Sequence, residues 1–177
     1  GSLAVTTNDV NGNEELDVGD SVTIVATNCV EFDSTMNGTM DMLVTKISGD
    51  LESDVFDLGV TMTFTDLSVA MAEGTTVGNG TMAMDMAMTG PHTGSMSLRF
   101  DGLTMSGTYG GAPYSRTMWD FDIADTYSLV NNMFHGSAVL SGVLGSSALD
   151  NEAVTLSTLQ PMVSVGADEY PSSGQIL

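Results

Sequence analysis

Apolar side chains alternate with small or polar ones along most of this chain. The clearest run is residues 81–89, with the sequence T-M-A-M-D-M-A-M-T. Successive side chains of a strand point to opposite faces, so this spacing predicts a strand with four thioethers on one face. Methionine fills irregular cores and adaptable apolar surfaces, which makes the row a candidate ligand-binding surface. Its members are Met82, Met84, Met86 and Met88.

The same alternation recurs throughout, and no long segment has the 3.6-residue period of a helix. About ten strands are predicted, with connections of roughly two to eight residues, which favour antiparallel neighbours. We therefore expect a single all-β domain over residues 1–177, built as an antiparallel meander. Its apolar face must be buried, so the meander is expected to close into a barrel or a curved half-barrel, with a β-sandwich as the alternative. Residues 170–177 are expected to turn and open a further strand.

Glycine-containing pairs predict where the strands turn. Asp101-Gly102 is a dipeptide favoured in two-residue type I′ turns, and it would pair the apolar residues on either side of it. Residues 37–38 and 79–80 are both Asn-Gly and are likewise interpreted as turns, so the echo between N-G-T-M-D-M and N-G-T-M-A-M-D-M indicates a shared hairpin. Near Asp66 the apolar alternation changes phase, which indicates a bulge or bend within one strand.

Charge narrows the range of partners. The chain has 3 Lys and Arg against 23 Asp and Glu, a formal net charge of −20. Such a chain repels phosphate backbones and anionic membrane surfaces, so no nucleic-acid partner is expected. A membrane-spanning helix needs a run of about 18 apolar residues, and no run in this chain is that long, so no transmembrane segment is expected. Low Lys with abundant Thr, Ser, Gly and Asn resembles exported bacterial surface proteins and lipoproteins, which implies an extracytoplasmic location: periplasmic, outer-membrane or secreted.

An acidic segment at residues 9–20 precedes the first clear strand and carries oxygen-bearing side chains at its positions 1, 3, 5, 7, 9 and 12. This spacing resembles the calcium loop of EF-hand and dockerin-type modules, and also the D-x-N-G-N-x-x-x-D-x-G-D segment of bacterial surface repeats. It departs from the calcium-loop pattern at Glu14, where the sharp turn takes Gly, and at its last position, where Asp replaces Glu. The resemblance implies Ca²⁺ as a cofactor; an Asx-rich turn is the alternative. The implied ligands are Asp9, Asn11, Asn13, Glu15, Asp17 and Asp20.

Two further patterns bear on chemistry. Asp120 and Asp122 are one strand repeat apart, which would place their carboxylates about 7 Å from each other, as glycoside hydrolysis can require. Their alternation with Trp119 and Phe121 is also typical of the solvated side of a strand. Methionine runs can bind Cu(I), and Cys29 is interpreted as a small buried hydrophobe. No nucleophile-elbow, metalloprotease, P-loop or dinucleotide motif occurs, so no enzyme is expected.

The sequence therefore predicts a non-catalytic domain for binding, adhesion or structural assembly at the cell surface. A surface glycan or another protein would be its partner, and calcium would order the acidic loop. One alternative is a carrier of an apolar or lipid-like ligand in a methionine-lined cavity. The other is a carbohydrate-active enzyme that uses Asp120 and Asp122.

Overall fold

The computed structural model describes residues 1–131, 133–166 and 171–177. They form one antiparallel sheet of ten strands in which the spatial order follows the chain order. A 3₁₀ turn, Ser147–Leu149, lies between the eighth and ninth strands. The strands are β1 (Ser2–Asn8), β2 (Ser21–Glu31), β3 (Ser34–Gly49), β4 (Val55–Met71), β5 (Gly74–Gly90), β6 (Thr93–Tyr109), β7 (Ala112–Val130), β8 (Met133–Ser146), β9 (Ala153–Val165) and β10 (Ser173–Ile176).

The prediction of an all-β meander of about ten antiparallel strands is confirmed. Among the residues that the structure describes, β1 pairs only with β2 and β10 only with β9, so the sheet is not closed into a barrel. This open sheet fits the half-barrel form of the prediction. A tenth strand lies within the segment expected to open one, although Tyr170, at the start of that segment, lies outside the described residues.

Most strands are joined by hairpins with two-residue turns, which set the register of long ladders. Phe32 and Asp33 between β2 and β3 both have positive φ, as do Gly110 and Gly111 between β6 and β7. Positive φ at both central residues defines the type I′ turn, whose twist matches that of the flanking strands. These turns let each strand return directly beside the one before it.

Seven adjacent strands, β2 to β8, each contain a residue with positive φ in mid-strand. The ladder registers shift at or beside these residues. Such shifts are expected at β-bulges, which insert one extra residue and bend the strand. Gly, Asn and Asp adopt positive φ at the least cost. We call this row the kink line; with φ from 44° to 143°, its members are Asn28, Gly38, Asp66, Gly80, Gly102, Asp120 and Gly142.

The two Asn-Gly pairs lie on the kink line inside β3 and β5, so the prediction of turns there is wrong. The Oδ1 atom of Asn37 accepts a hydrogen bond from the backbone N–H of Asn28 at 2.7 Å. The Oδ1 atom of Asn79 accepts one from the N–H of Asp66, also at 2.7 Å. A bulge takes an N–H out of the ladder, and the asparagine supplies the missing acceptor. The repeated Asn-Gly sequence therefore reflects one way of giving a bulged N–H an acceptor, and the chain uses it twice.

The bulges keep the apolar residues of a strand on one side of the sheet. Phe64 and Leu67 are three positions apart, yet they pair with Gly80 and Gly78, which are two apart on β5. Residues two apart lie on the same side of a strand, so the inserted residue near Asp66 restores the alternation. We call this side the apolar face, and the opposite side, rich in Thr, Ser, Ala and Gly, the polar face.

The kink line also explains two errors of the simple alternation. Asp101-Gly102 lies in the interior of β6 instead of a hairpin turn, because Gly102 is a kink-line residue. In β7 a register shift falls between Trp119 and Asp122, so Trp119 lies on the polar face, opposite to Phe121. The bend that was predicted near Asp66 is confirmed.

Within the described chain, no second layer covers either side of the sheet. The chain exposes 10818 Å², whereas a compact monomer of 18.4 kDa exposes about 8,200 Å². Among the described residues, the buried apolar side chains are Ala26, Val44, Val60, Leu103 and Phe121. The apolar face is therefore formed by the fold but left largely uncovered.

We predict that Gly38→Ala destabilises the sheet by about 2–4 kcal/mol. A Cβ at Gly38 would lie 2.3 Å from the carbonyl oxygen of Asp66, and its φ of +110° is strained for any L side chain. Gly78→Ala is the matched control, because a Cβ there would meet no atom closer than 3.8 Å. Urea unfolding followed by circular dichroism measures both. Equal stability of the two variants would contradict the proposed role of the kink line.

Candidate functional site

The acidic loop at residues 9–20 is organised by hydrogen bonds to its own carboxylates. Asp9 accepts from the backbone N–H groups of Glu14 at 2.8 Å, Gly12 at 2.6 Å and Asn11 at 3.1 Å. These bonds, chiefly that of Glu14 and then that of Gly12, hold the pKa of Asp9 below its ordinary value of 3.8. A lowered pKa means that the ionised form stabilises the folded loop above about pH 3.8, and this contribution is lost as the pH falls through the folded-state value.

Three of the predicted calcium ligands meet in this loop. The side-chain amides of Asn11 and Asn13 both donate to Oδ2 of Asp17, at 2.6 and 2.8 Å. The amide oxygens of the same two residues accept from the backbone N–H groups of Asn13 and Glu15. The donors facing Asp17 are thus N–H groups, and a cation would require both amides to turn their oxygens towards it.

Asp20 anchors the loop to the sheet. It is 6% exposed, and its two carboxylate oxygens accept from the backbone N–H groups of Val10 and Asp17 at 2.9 and 2.8 Å. Its carbonyl accepts from the N–H of Val44 in β3, whose own carbonyl accepts from Gly19. Asp20 is therefore committed to structure, unlike the exposed Asp9 and the half-buried Asp17.

The predicted ligand set is therefore divided between the exposed part of the loop and a buried anchor. Among the residues that the structure describes, no three His, Cys, Asp or Glu side chains are grouped to hold a metal ion. The side-chain carboxylate of Glu15 makes no described hydrogen bond; only its backbone N–H does. Calcium at this loop stays a prediction of the sequence.

The loop and the apolar face meet at an open cleft of about 470 Å³. Glu14, Leu16 and Asp20 line it from the loop, and Val22 and Met42 line it from β2 and β3. The loop thus places carboxylates at one margin of the apolar face, where a ligand or partner on that face would meet them.

The four methionines of β5 lie in the middle of the apolar face and are all half-buried. Tyr127 of β7 donates a hydrogen bond to the sulfur of Met88, which holds one end of the row. The sequence prediction that the four thioethers share a face agrees with the register of both neighbouring strands. From β4 through β5 to β6, the paired residues are Met62–Met82–Phe100, Val60–Met84–Leu98, Leu58–Met86–Met96 and Phe56–Met88–Gly94.

Asp120 and Asp122 do not follow the spacing assumed from the sequence. Asp120 is on the kink line, so the two residues are not a regular strand repeat apart. Asp122 accepts a hydrogen bond from Nε of Arg99 at 2.8 Å, within an exposed ion pair. The hydrogen bond and charge of Asp122 raise the pKa of Arg99 above its ordinary value, so the guanidinium stays charged. This arrangement gives no support to the proposed glycosidase pair.

Cys29 does not form part of a buried core. It is a free thiol, half-buried, and it pairs with Met36 across β2 and β3. The thiol is therefore less buried than the sequence interpretation expected, because nothing in the described chain covers its face of the sheet.

The sequence-based predictions did not place two charged residues of β7 on the apolar face. Asp125 pairs with Met96, and Arg116 pairs with Met105, so the register places both among apolar neighbours. The alternation from Phe121 could have located Asp125, since the two positions are an even number apart. Arg116 lies beyond the bulge, where simple alternation assigns the wrong face.

No protein-family model matches this chain, and no curated protein or solved structure is similar to it. Among the described residues, no helix has the length and apolar character needed to cross a membrane.

We predict that Asp20→Ala costs about 2–4 kcal/mol of unfolding free energy, because it leaves two N–H groups near a buried position without their charged acceptor. Asp17→Ala removes a carboxylate from the same loop. Because the Asp17 carboxylate accepts only from exposed side chains, this change should cost less than about 1 kcal/mol of unfolding free energy. Urea denaturation of both variants measures the difference. Equal costs would contradict the anchoring role of Asp20.

For calcium, the prediction is a higher melting temperature when millimolar Ca²⁺ is added, because an ion bound only by the folded loop stabilises the folded state. Asp9→Ala combined with Asp17→Ala should abolish that rise. Mg²⁺ at the same concentration is the control for ionic strength, since its strict octahedral preference suits this loop poorly. No shift with Ca²⁺ in the unaltered chain would exclude the calcium loop.

Proposed function

We propose that this chain is a non-catalytic docking domain of an exported, extracytoplasmic protein, used for binding, adhesion or structural assembly. The observation that carries the proposal is the uncovered apolar face. A sheet with one apolar side is stable when that side packs against another element, and large exposed apolar patches on soluble proteins mark interaction sites.

The distribution of charge supports the same function. Among the described residues, the polar face carries isolated carboxylates and also two ion pairs. These are Lys46–Asp57 at 3.3 Å and Arg99–Asp122 at 2.8 Å. Exposed ion pairs of this kind contribute little to stability. A net charge of −20 keeps the chain soluble, while the apolar face remains available for a partner.

A second function rests on the methionine row itself. Half-buried thioethers on an open face suit an adaptable apolar ligand, so the face could carry a lipid-like molecule instead of a protein. Native mass spectrometry of the freshly purified chain distinguishes these cases: a co-purified lipid mass favours the carrier, and an empty chain favours docking.

The docking proposal predicts strong binding of the apolar dye bis-ANS, measured at the lowest chain concentration that fluorescence allows. Met84→Glu puts a charge at the centre of the apolar face and should reduce the dye signal at least by half. Ala83→Glu adds the same charge to the neighbouring position, which faces the polar side between Thr61 and Arg99. It should leave the signal unchanged.

Circular dichroism of both variants checks that the sheet is intact. Weak dye binding by an unaltered chain that sediments as a monomer, or equal loss in the two variants, would contradict an exposed docking face.

A further inference from the structure

We propose that the partner of the apolar face is a second copy of this chain, packed face to face and turned end for end about an axis along the kink line. This inference rests on the proposed docking function and names its partner. The resulting assembly would be a two-layer sandwich made of two identical sheets.

The exposed area of the chain is large enough for a stable dimer interface. The chain exposes 10818 Å², roughly 2,600 Å² more than a compact monomer of its mass. If only half of this excess belongs to the apolar face, a pair of chains would bury about 2,600 Å² in total. That area is within the range of obligate homodimers, which is about 2,000–5,000 Å².

The placement of charge on the apolar face also favours a second copy as the partner. Apart from Glu31 at the last position of β2, the charged side chains that the register puts on this face in the described strands are Arg116 and Asp125. Neither side chain has a described ion pair or hydrogen bond. A charge on a surface that becomes buried is costly unless it is paired.

The two charges cannot pair within one chain. They lie on the same strand nine residues apart, which is about 30 Å in an extended strand. Their positions are nevertheless symmetric about the kink line, since Arg116 lies four residues before Asp120 and Asp125 lies four residues after Phe121.

A two-fold axis along the kink line, parallel to the sheet and perpendicular to the strands, reverses each strand and turns its apolar face over. It would lay β7 of one copy across β7 of the other, antiparallel. Arg116 of each copy then faces Asp125 of the other, across the about 10 Å that separates packed sheets. The apolar face as a whole is then self-complementary, as a two-fold contact requires, because its Arg116 half meets the Asp125 half of the other copy.

Charge reversal tests this arrangement in the intact chain. Sedimentation velocity over a dilution series should show a dimer of twice 18.4 kDa. Arg116→Asp alone and Asp125→Arg alone should each weaken dimerisation at least tenfold, because each places two pairs of like charges in contact. The combined variant restores both pairs and should recover the affinity to within about threefold.

Two polar-face variants are the matched controls. Arg99→Asp and Asp122→Arg make the same changes of charge on the opposite face and should leave the dimer intact. The effect of Asp125→Arg is also diagnostic, because it reduces the net negative charge. General repulsion predicts that it strengthens association, whereas the specific pairing predicts that it weakens it.

The outcomes separate this proposal from the docking function. A chain that stays monomeric but binds bis-ANS through its apolar face overturns the second copy and leaves docking in place. A monomer that binds no dye overturns both. A dimer that is insensitive to the reversals, or is not rescued by the combined variant, overturns the end-for-end packing.

Discussion

The structure depends on one recurring interaction, in which the neighbouring strand accepts a hydrogen bond from the backbone N–H of a β-bulge. At Asn28 and Asp66 the extra residue turns its N–H out of the ladder, and an asparagine oxygen from the next strand accepts it. The glycine that follows that asparagine leaves room for the kinked backbone of the strand on its other side, because a Cβ at Gly38 would overlap the backbone of Asp66 and a Cβ at Gly80 that of Gly102. Repeated from strand to strand, this contact bends long strands without interrupting their pairing.

The bulges have a second consequence, which concerns the faces. Strands such as β7, with 19 residues, are long for a globular protein, in which most strands have 3–10 residues. Each bulge allows the apolar set before the bend to continue on the same side after it. The fold thus assembles a single broad apolar face. It builds no layer to cover that face within the described chain, and the proposed partner would supply that layer.

The charges follow the same division. On the polar face, Lys46 and Arg99 lie beside carboxylates and are exposed to water, so their charges carry little desolvation cost. On the apolar face, Arg116 and Asp125 are separated along one strand and lack partners among the described contacts. The sandwich considered from the sequence as an alternative to a barrel is absent among the described residues of one chain, and the proposed pairing would create it between two. The acidic loop, anchored by Asp20, stands at the margin of this face.

The sequence alone determined the local choices. Alternation in residues 81–89 was enough to place four methionines on one face, and the short connections were enough to predict antiparallel neighbours. Apart from the bend near Asp66, the sequence could not determine where the strands kink, because Asp101-Gly102 and the Asn-Gly pairs suit a hairpin turn and a mid-strand kink equally well. Positive φ is a local property, whereas the choice between these two uses depends on which strand lies alongside. Only the tertiary structure decided that, and with it the side of the sheet on which Trp119 and Arg116 lie.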